Sequence, residues 1–212
     1  MFIGHYGVAF AVKRVEQRIP LWLLFVAVQF VDVVWAVLIF LGIEKARITQ
    51  EHRGSLPLDL YYMPYTHSLP GVILWSALAY MGCRFFMPRR ASALVSAAVF
   101  SHWVLDLIVH RPDLPLYDNA RKLGLALWNY PIAALVLEAA LYFGLLFYIR
   151  AQSRPAFAIL GIFILAIQVT VFWFPVLPSP KIAAVIFLAG YIQLAGAANW
   201  LEKKYLGGQP QL

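Results

Sequence analysis

The sequence predicts an all-α, polytopic membrane protein, a bundle of about six transmembrane helices preceded by a short N-terminal helix. Composition is the first reason, since 62% of the 212 residues are hydrophobic and 13% are charged, whereas soluble domains average about 45–50% and about 25%. The mean hydropathy of +0.74 also indicates a membrane protein. Segmentation is the second reason, because the apolar residues form runs of about 20, the length that crosses ~30 Å of hydrocarbon. The whole chain, 1–212, is therefore predicted to be one integral membrane domain.

The predicted elements follow in order along the chain. Residues 2–12 are apolar apart from His5 and are too few to span the bilayer, so we expect a short helix that enters it partway or packs on the bundle. Pro20 and Pro131 fall in first turns of later segments, where a missing N–H is harmless. Further prolines leave a tight turn between the last two segments. The six predicted spans are 20–43, 69–87, 91–110, 128–149, 156–177 and 181–201.

The charge pattern argues against nucleic acid as a partner and for membrane lipids. The net charge is +7, but the basic residues sit in short clusters between apolar segments, where they act as topology signals. Cys83 is alone, so no disulfide framework is expected. The first residues carry no basic region and no small-residue cleavage site before Lys13, which argues against a cleaved signal peptide.

The distribution of lysine and arginine predicts the topology. Alternating spans put ten basic residues on one side of the membrane and seven, Arg53 among them, on the other, in longer loops. The positive-inside rule places the first set in the cytoplasm. Segment 91–110 then runs outward, and its polar side chains lie in the outer leaflet.

One stretch of that segment predicts a metal site. Residues 99–110 read VFSHWVLDLIVH, with His102, Asp106 and His110 spaced i, i+4, i+8. At about 100° per residue each step of four drifts only about 40°, so all three share one broad helix face. Ionisable groups at membrane depth are costly and normally face the protein interior or a wet cavity. The alternative is a hydrogen-bonded His–Asp pair that orients a helix, with His110 merely ending it at the interface.

Other candidate ligands fall at similar depth. His67 opens segment 69–87 at the outer level, and His5 joins it if the short helix begins outside. Asp32 and Glu138 lie mid-depth in their segments. Each carboxylate is a candidate ligand, proton carrier or partner for an arginine, and Glu138 could instead hold a ligand histidine. Imidazole and carboxylate suit zinc, so we expect a divalent metal, most simply one or two zinc ions, with a free carboxylate, Asp32 or Glu138, as catalytic base.

Several runs resemble a known family. They are GHYGVAFAVKR, DLYYMPYTHSLPGVILWSALAY and VFSHWVLDLIVHRPDLPLYD, and they resemble bacterial multi-pass proteins described as membrane-bound metal-dependent hydrolases, the group that includes the LexA-binding inner-membrane hydrolase-like proteins. The resemblance covers most of 1–150, the metal-site portion, and weakens over the two further membrane helices in 156–201. Its most specific parts are Thr66-His67-Ser68 and the S-H-x-x-x-D element at 101–106.

What this resemblance implies is a bacterial inner-membrane protein with a metal site. The group is similar, more distantly, to zinc-dependent phospholipase C and P1-type nucleases, helical enzymes that hold a zinc cluster for phosphoester hydrolysis. The chain departs from them at Ala134, where their additional His-x-x-x-Glu ligand pair has histidine. The likeness therefore implies one or two metals rather than three. The implied ligands are His5, Asp32, His67, His102, Asp106 and His110.

Three functions stay open at this point. The first is a membrane-embedded hydrolase that cleaves a phosphoester or other ester of an amphipathic, lipid-like substrate. The second is proton or ion movement through Asp32, Asp106 and Glu138. The third is a non-catalytic subunit or scaffold of a larger membrane complex. The loop 111–127 could cover the site and bind an anion through Arg111, although a solvated loop is the default.

Overall fold

A computed structural model describes residues 1–49, 54–174 and 177–206 of the chain, and within them the fold is mostly helical. Two sequence predictions fall partly outside these residues. They concern Arg53, counted above with the outer loops, and positions 175 and 176 of the predicted span 156–177. The helices are α1 (Ile3–Val15), α2 (Leu21–Val28), α3 (Phe30–Leu41), α4 (Leu69–Arg84), α5 (Arg89–Val109), α6 (Pro131–Leu146), α7 (Arg154–Trp173) and α8 (Pro180–Tyr205).

Three of these helices are long and apolar enough to cross a membrane. They are α5, α7 with its preceding turn, and α8, and the pair α2–α3 makes a fourth if its two parts form one span bent by 57°. Helices α4 and α6 have 16 residues each, fewer than the ~20 a full crossing requires. The chain thus has the spans of a membrane protein, while the predicted number of six is not confirmed.

The predicted span 20–43 is broken at Gln29. Residues 26–34 read VAVQFVDVV, which looks continuous in sequence, yet Gln29 has φ −109° and ψ 8° and is fully buried. A continuous helix would direct the Val28 carbonyl to the N–H of residue 32. At the break this carbonyl instead accepts a hydrogen bond from Nδ1 of His102, at 2.8 Å. Irregular backbone at membrane depth is tolerated where it is buried against protein in this way.

The short helix α1 is not peripheral but lies in the centre of the bundle. It packs against α2, α5 and α6, and most of its first eight residues are buried. Gly7 allows the close approach to α6, because a Cβ there would lie 2.6 Å from the Leu141 carbonyl oxygen. The Phe10 ring of α1 packs against the buried rings of Phe25 in α2 and Phe157 in α7. The expectation that α1 packs on the bundle is confirmed.

Two short hairpins, which the all-α prediction did not include, cover the end of the bundle where α5 terminates. Strands β1 (Lys45–Ile48) and β2 (Leu58–Tyr62) pair antiparallel, as do β3 (Leu114–Tyr117) and β4 (Ala120–Leu123). The hairpins touch each other through Asn119 and Lys122, whose side chains donate to the Tyr61 carbonyl. They lie in the two longest interhelical loops. These polar loops therefore fold back over the end of the bundle.

Candidate metal centre

The end of α5 presents three predicted ligands on one face. His102 and Asp106 belong to the helix and His110 caps its C-terminus, and all three are at most 2% exposed. Nε2 of His102 lies 3.1 Å and Nε2 of His110 lies 3.5 Å from Oδ2 of Asp106. The i, i+4, i+8 spacing therefore places two imidazoles on either side of one carboxylate, as the sequence predicts.

Two further predicted ligands arrive from other elements. Asp32, in the first turn of α3, places Oδ1 at 3.3 Å from Nε2 of His67 and 3.5 Å from Nε2 of His102. His67, which precedes α4, lies 3.8 Å from Oδ2 of Asp106. A tetrahedral ion with bonds of about 2.1 Å has ligand atoms roughly 3.4 Å apart. These separations are longer than most good hydrogen bonds and suit the edges of a coordination shell.

His5 approaches the same carboxylate from the other side. Its Nε2 lies 3.2 Å from Oδ1 of Asp106, and its ring stacks on that of His102 with centroids 4.0 Å apart. The Met1 amino group also bonds to Oδ1 of Asp106. Asp106 thus uses one oxygen toward α1 and the other toward the histidines at 67, 102 and 110. A carboxylate with both oxygens directed to different donor groups can bridge two cations.

Three of the four site histidines have the orientation that metal-binding histidines usually have. Nδ1 of His102 meets a backbone carbonyl, Nδ1 of His110 meets Oδ1 of Asp113 at 2.8 Å, and Nδ1 of His67 meets Oγ1 of Thr66 at 2.8 Å. Carbonyl and carboxylate oxygens only accept, so the proton of His102 and His110 lies on Nδ1. An oxygen partner at one nitrogen fixes the tautomer and leaves the other lone pair for a metal.

Glu44 orients His67 through Thr66. The Thr66 hydroxyl donates to Oε2 of Glu44 at 2.6 Å, so its oxygen is left to accept the Nδ1–H of His67. Oε1 of Glu44 accepts the backbone N–H groups of Tyr65 and Thr66. The adjacent Ser68 caps α4 by accepting from Gly71 N–H at 3.1 Å. The Thr-His-Ser element therefore holds the imidazole and begins a helix at the same time.

Glu138 lies beside the cluster rather than in it. Its Oε2 accepts the N–H groups of Phe2 at 2.7 Å and Gly4 at 3.4 Å, so it satisfies amides at the start of α1. Its Oε1 has no hydrogen-bond partner and the residue is fully buried. Glu138 therefore positions the helix that carries His5.

Two positioning residues could not be found from the sequence. Glu44 belongs to a polar loop in which no periodicity links it to Thr66. Tyr191, in the middle of α8, donates from Oη to Oδ2 of Asp32 at 3.0 Å, which leaves Oδ1 for the histidines. The family resemblance fades over α8, and a tyrosine in an apolar helix normally indicates packing. The sequence showed Asp113 as part of the polar loop 111–127, but it did not predict that this carboxylate bonds to His110.

The donor set fits a divalent cation. Among the described residues, two groups of buried or half-buried side chains place ligand atoms within 4.8 Å of one another, His5–His102–Asp106 and Asp32–His67–His102. The Nε2 atom of His102, common to both, is fully buried and makes no well-oriented hydrogen bond, although Oδ2 of Asp106 lies 3.1 Å away. A buried polar atom without a partner is costly, and a cation among these nitrogen and oxygen donors would satisfy it. Nitrogen and carboxylate donors in this number suit zinc and its borderline neighbours.

A cavity of about 530 Å³ opens onto the cluster. Asp32, His67, Asp106 and His110 form its polar wall, and most of the remaining wall comes from apolar residues of α7 and α8. Helix α7 packs against α1 and α6, whereas α8 packs against α2 and α3. The cavity therefore lies between two span-length helices and joins an apolar space to the polar cluster.

Arg111 bonds to neighbouring loops and does not line the cavity. Its guanidinium donates to Oγ of Ser55 at 2.7 Å and to Oδ1 of Asn129 at 3.0 Å. Partial burial lowers its pKa, and Asp113 opposes that shift. Arg111 thus ties the loop after α5 to neighbouring loops rather than reaching the cluster.

Comparisons with family models, curated proteins and solved structures found no match to this chain. The family resemblance drawn from the sequence motifs thus stays a prediction, and the function has to be argued from the geometry of the site.

Proposed function

We propose that this protein is a membrane-embedded, metal-dependent hydrolase that cleaves a phosphoester or other ester bond in an amphipathic lipid. The observation that carries the proposal is the convergence of Asp32, His67, His102, Asp106 and His110 beside a cavity with apolar walls. His67, His102 and Asp106 are the primary ligands of the proposed ion. Asp32, His5 and His110 complete the site for one or two ions, most simply zinc.

The chemistry follows from the donor set. A bound divalent ion would lower the pKa of a water molecule and polarise the carbonyl or phosphoryl oxygen of the substrate. When a single ion is held by His67, His102 and Asp106, Asp32 is left free of metal and is the better candidate for general base, because its side chain is 18% exposed and faces the cavity. Tyr191 holds the second oxygen of Asp32 and so fixes the direction of the first. Glu138 is not among the residues that line the cavity, and its Oε2 is occupied by backbone N–H groups.

The setting supports a lipid rather than a water-soluble substrate. A polar cluster that closes one side of an apolar cavity lets an amphiphile keep its chain in hydrocarbon while its reactive bond meets the donors. We place the protein in the bacterial inner membrane, with the cluster in the outer leaflet. In this arrangement the apolar residues that flank α4 and α6 extend them to complete six spans.

Metal content tests the proposal most directly. The protein purified in detergent and dialysed against trace zinc is expected to retain about one to two ions per chain, and Asp106→Asn or His102→Ala to lose them together with esterase activity. Asp59→Asn is the matched control, since Asp59 pairs with Arg47 outside the cluster. Equal metal content in the wild type and the two site variants, all folded, would refute the proposal. Proton flux into liposomes without hydrolysis would favour a relay instead.

A further inference from the structure

We propose that the substrate is an uncharged carboxylic ester of a single long acyl chain rather than a phosphoester. This inference rests on the proposed hydrolase function and narrows its substrate class. It comes from two properties of the cavity, the charges on its wall and its length along the helices.

Apart from the proposed ion, the cavity wall offers no free cationic side chain, among the described residues, to hold a phosphate group. Among the described residues that line the cavity, none is lysine or arginine, and the charged side chains are the carboxylates of Asp32 and Asp106. The Met1 amino group also lies at this wall, but it is already paired with Asp106. With a single divalent ion, the ion and the Met1 amino group together exceed the two carboxylates by only one positive charge, and that amino group is already paired. Phosphate sites normally supply arginine, lysine or backbone N–H groups.

The neighbouring basic residues do not change this balance. Arg111 is directed to Ser55 and Asn129 and Lys122 donates to the Tyr61 carbonyl, and neither residue lines the cavity. A neutral ester needs no counter-charge, since it requires a polarised carbonyl oxygen and an apolar space for its chain.

The dimensions fit one acyl chain. The lining residues of α7 run from Leu160 to Phe172 and those of α8 from Ile186 to Ala197, about 18 Å and 17 Å at 1.5 Å per residue. Half of a ~30 Å hydrocarbon core, the depth of one leaflet, is ~15 Å. The volume of about 530 Å³ lies within the range of ~300–1,000 Å³ of pockets that hold one ligand.

The reaction balances with water alone. Water adds its oxygen to the acyl carbon, and the bond between that carbon and the alkoxy oxygen breaks. One proton of the water passes to the leaving oxygen, and the other is released as the fatty acid ionises. Asp32 is placed to accept the first proton, and Tyr191 keeps it aligned.

Matched chromogenic substrates test the substrate class. The zinc-loaded protein in detergent is assayed with methylumbelliferyl palmitate and with hexadecyl methylumbelliferyl phosphate, with Asp106→Asn as the background. We expect kcat/KM for the palmitate to exceed that for the phosphodiester by ~tenfold or more. A preference for the phosphodiester would overturn this inference and leave the hydrolase proposal standing. Hydrolysis of neither substrate by protein that holds zinc would overturn both.

Two glycines of α8 provide a matched pair for the position of the chain. Gly190 lines the cavity, whereas Gly196 does not, and a Cβ at either position meets no atom within 4 Å. Gly190→Leu is expected to lower kcat/KM for methylumbelliferyl palmitate by about tenfold while leaving that for the shorter ester, methylumbelliferyl octanoate, unchanged. Gly196→Leu is expected to affect neither ester. If Gly190→Leu lowers both esters equally, or has no effect while zinc content is unchanged, the chain does not lie in this cavity.

Discussion

Thr66→Val is the substitution that tests most sharply how the site is held. Thr66 lies between Glu44 and His67, and all three are at most 2% exposed. Valine keeps the branched shape but removes the oxygen that accepts from Nδ1 of His67 and the proton donated to Glu44. His67 then keeps its position and loses the partner that fixes its tautomer.

The expected loss is in metal affinity. Removing the outer partner of a metal-binding histidine typically costs about 10–100-fold in affinity, which is roughly 1.4–2.7 kcal/mol. Glu44 keeps its two backbone N–H donors at Oε1, so its carboxylate is not left bare. The loss of these two buried hydrogen bonds then lowers the free energy of unfolding by about 1–3 kcal/mol.

Competition with a chromogenic chelator measures the zinc affinity, on protein that a thermal melt has shown to be folded. Thr66→Ser restores the hydroxyl and is expected to restore affinity. Thr170→Val is the control, because Thr170 donates to the Ala166 carbonyl on an exposed face of α7. Wild-type zinc affinity in folded Thr66→Val would show that the Glu44–Thr66 chain does not orient His67 for a metal.

Three more substitutions separate chemistry from positioning. Tyr191→Phe frees one oxygen of Asp32 and is expected to lower kcat by about tenfold at unchanged zinc content, so loss of zinc would contradict its role. Glu138→Gln keeps an acceptor for the first turn of α1, so kcat measured with a soluble ester should change little, whereas a large fall would make Glu138 the base. Gly161→Ala places a Cβ 2.2 Å from the buried tyrosine ring of α6 and should lower stability by about 1–3 kcal/mol, seen as a lower melting temperature. Gly144→Ala, with open space around its Cβ, should not.

The sequence predicted the part of the site that one helix determines. His102, Asp106 and His110 are brought together by helix periodicity alone, so their spacing was sufficient. His67, Asp32 and His5 come from separate elements, and their matching depth could suggest proximity without fixing contact. The residues that orient them were out of reach, because Glu44 acts from a loop and Tyr191 from a helix that is otherwise apolar.

The fold was predicted less completely, for an equally physical reason. Hydropathy measures how apolar a segment is and does not register a break such as the one at Gln29, since the residues on both sides remain apolar. That break has a function in the site, because the carbonyl it frees binds His102 while Asp32 lies in the first turn of the next helix. The hairpins in the loops were missed because their strands are short and pair outside the apolar segments from which the elements were predicted.

The cost of the cluster is the strongest reason to regard it as a binding site. Two carboxylates, four imidazoles and an amino group lie within one buried region, and several facing pairs are 3.3–3.8 Å apart, longer than good hydrogen bonds. A cluster that only stabilised the fold would gain more from closer pairing or from apolar replacement. Spacing that is poor for direct hydrogen bonding but suits the coordination shell of a small cation is what a metal site requires. The unpartnered Nε2 of His102 points to the same occupant.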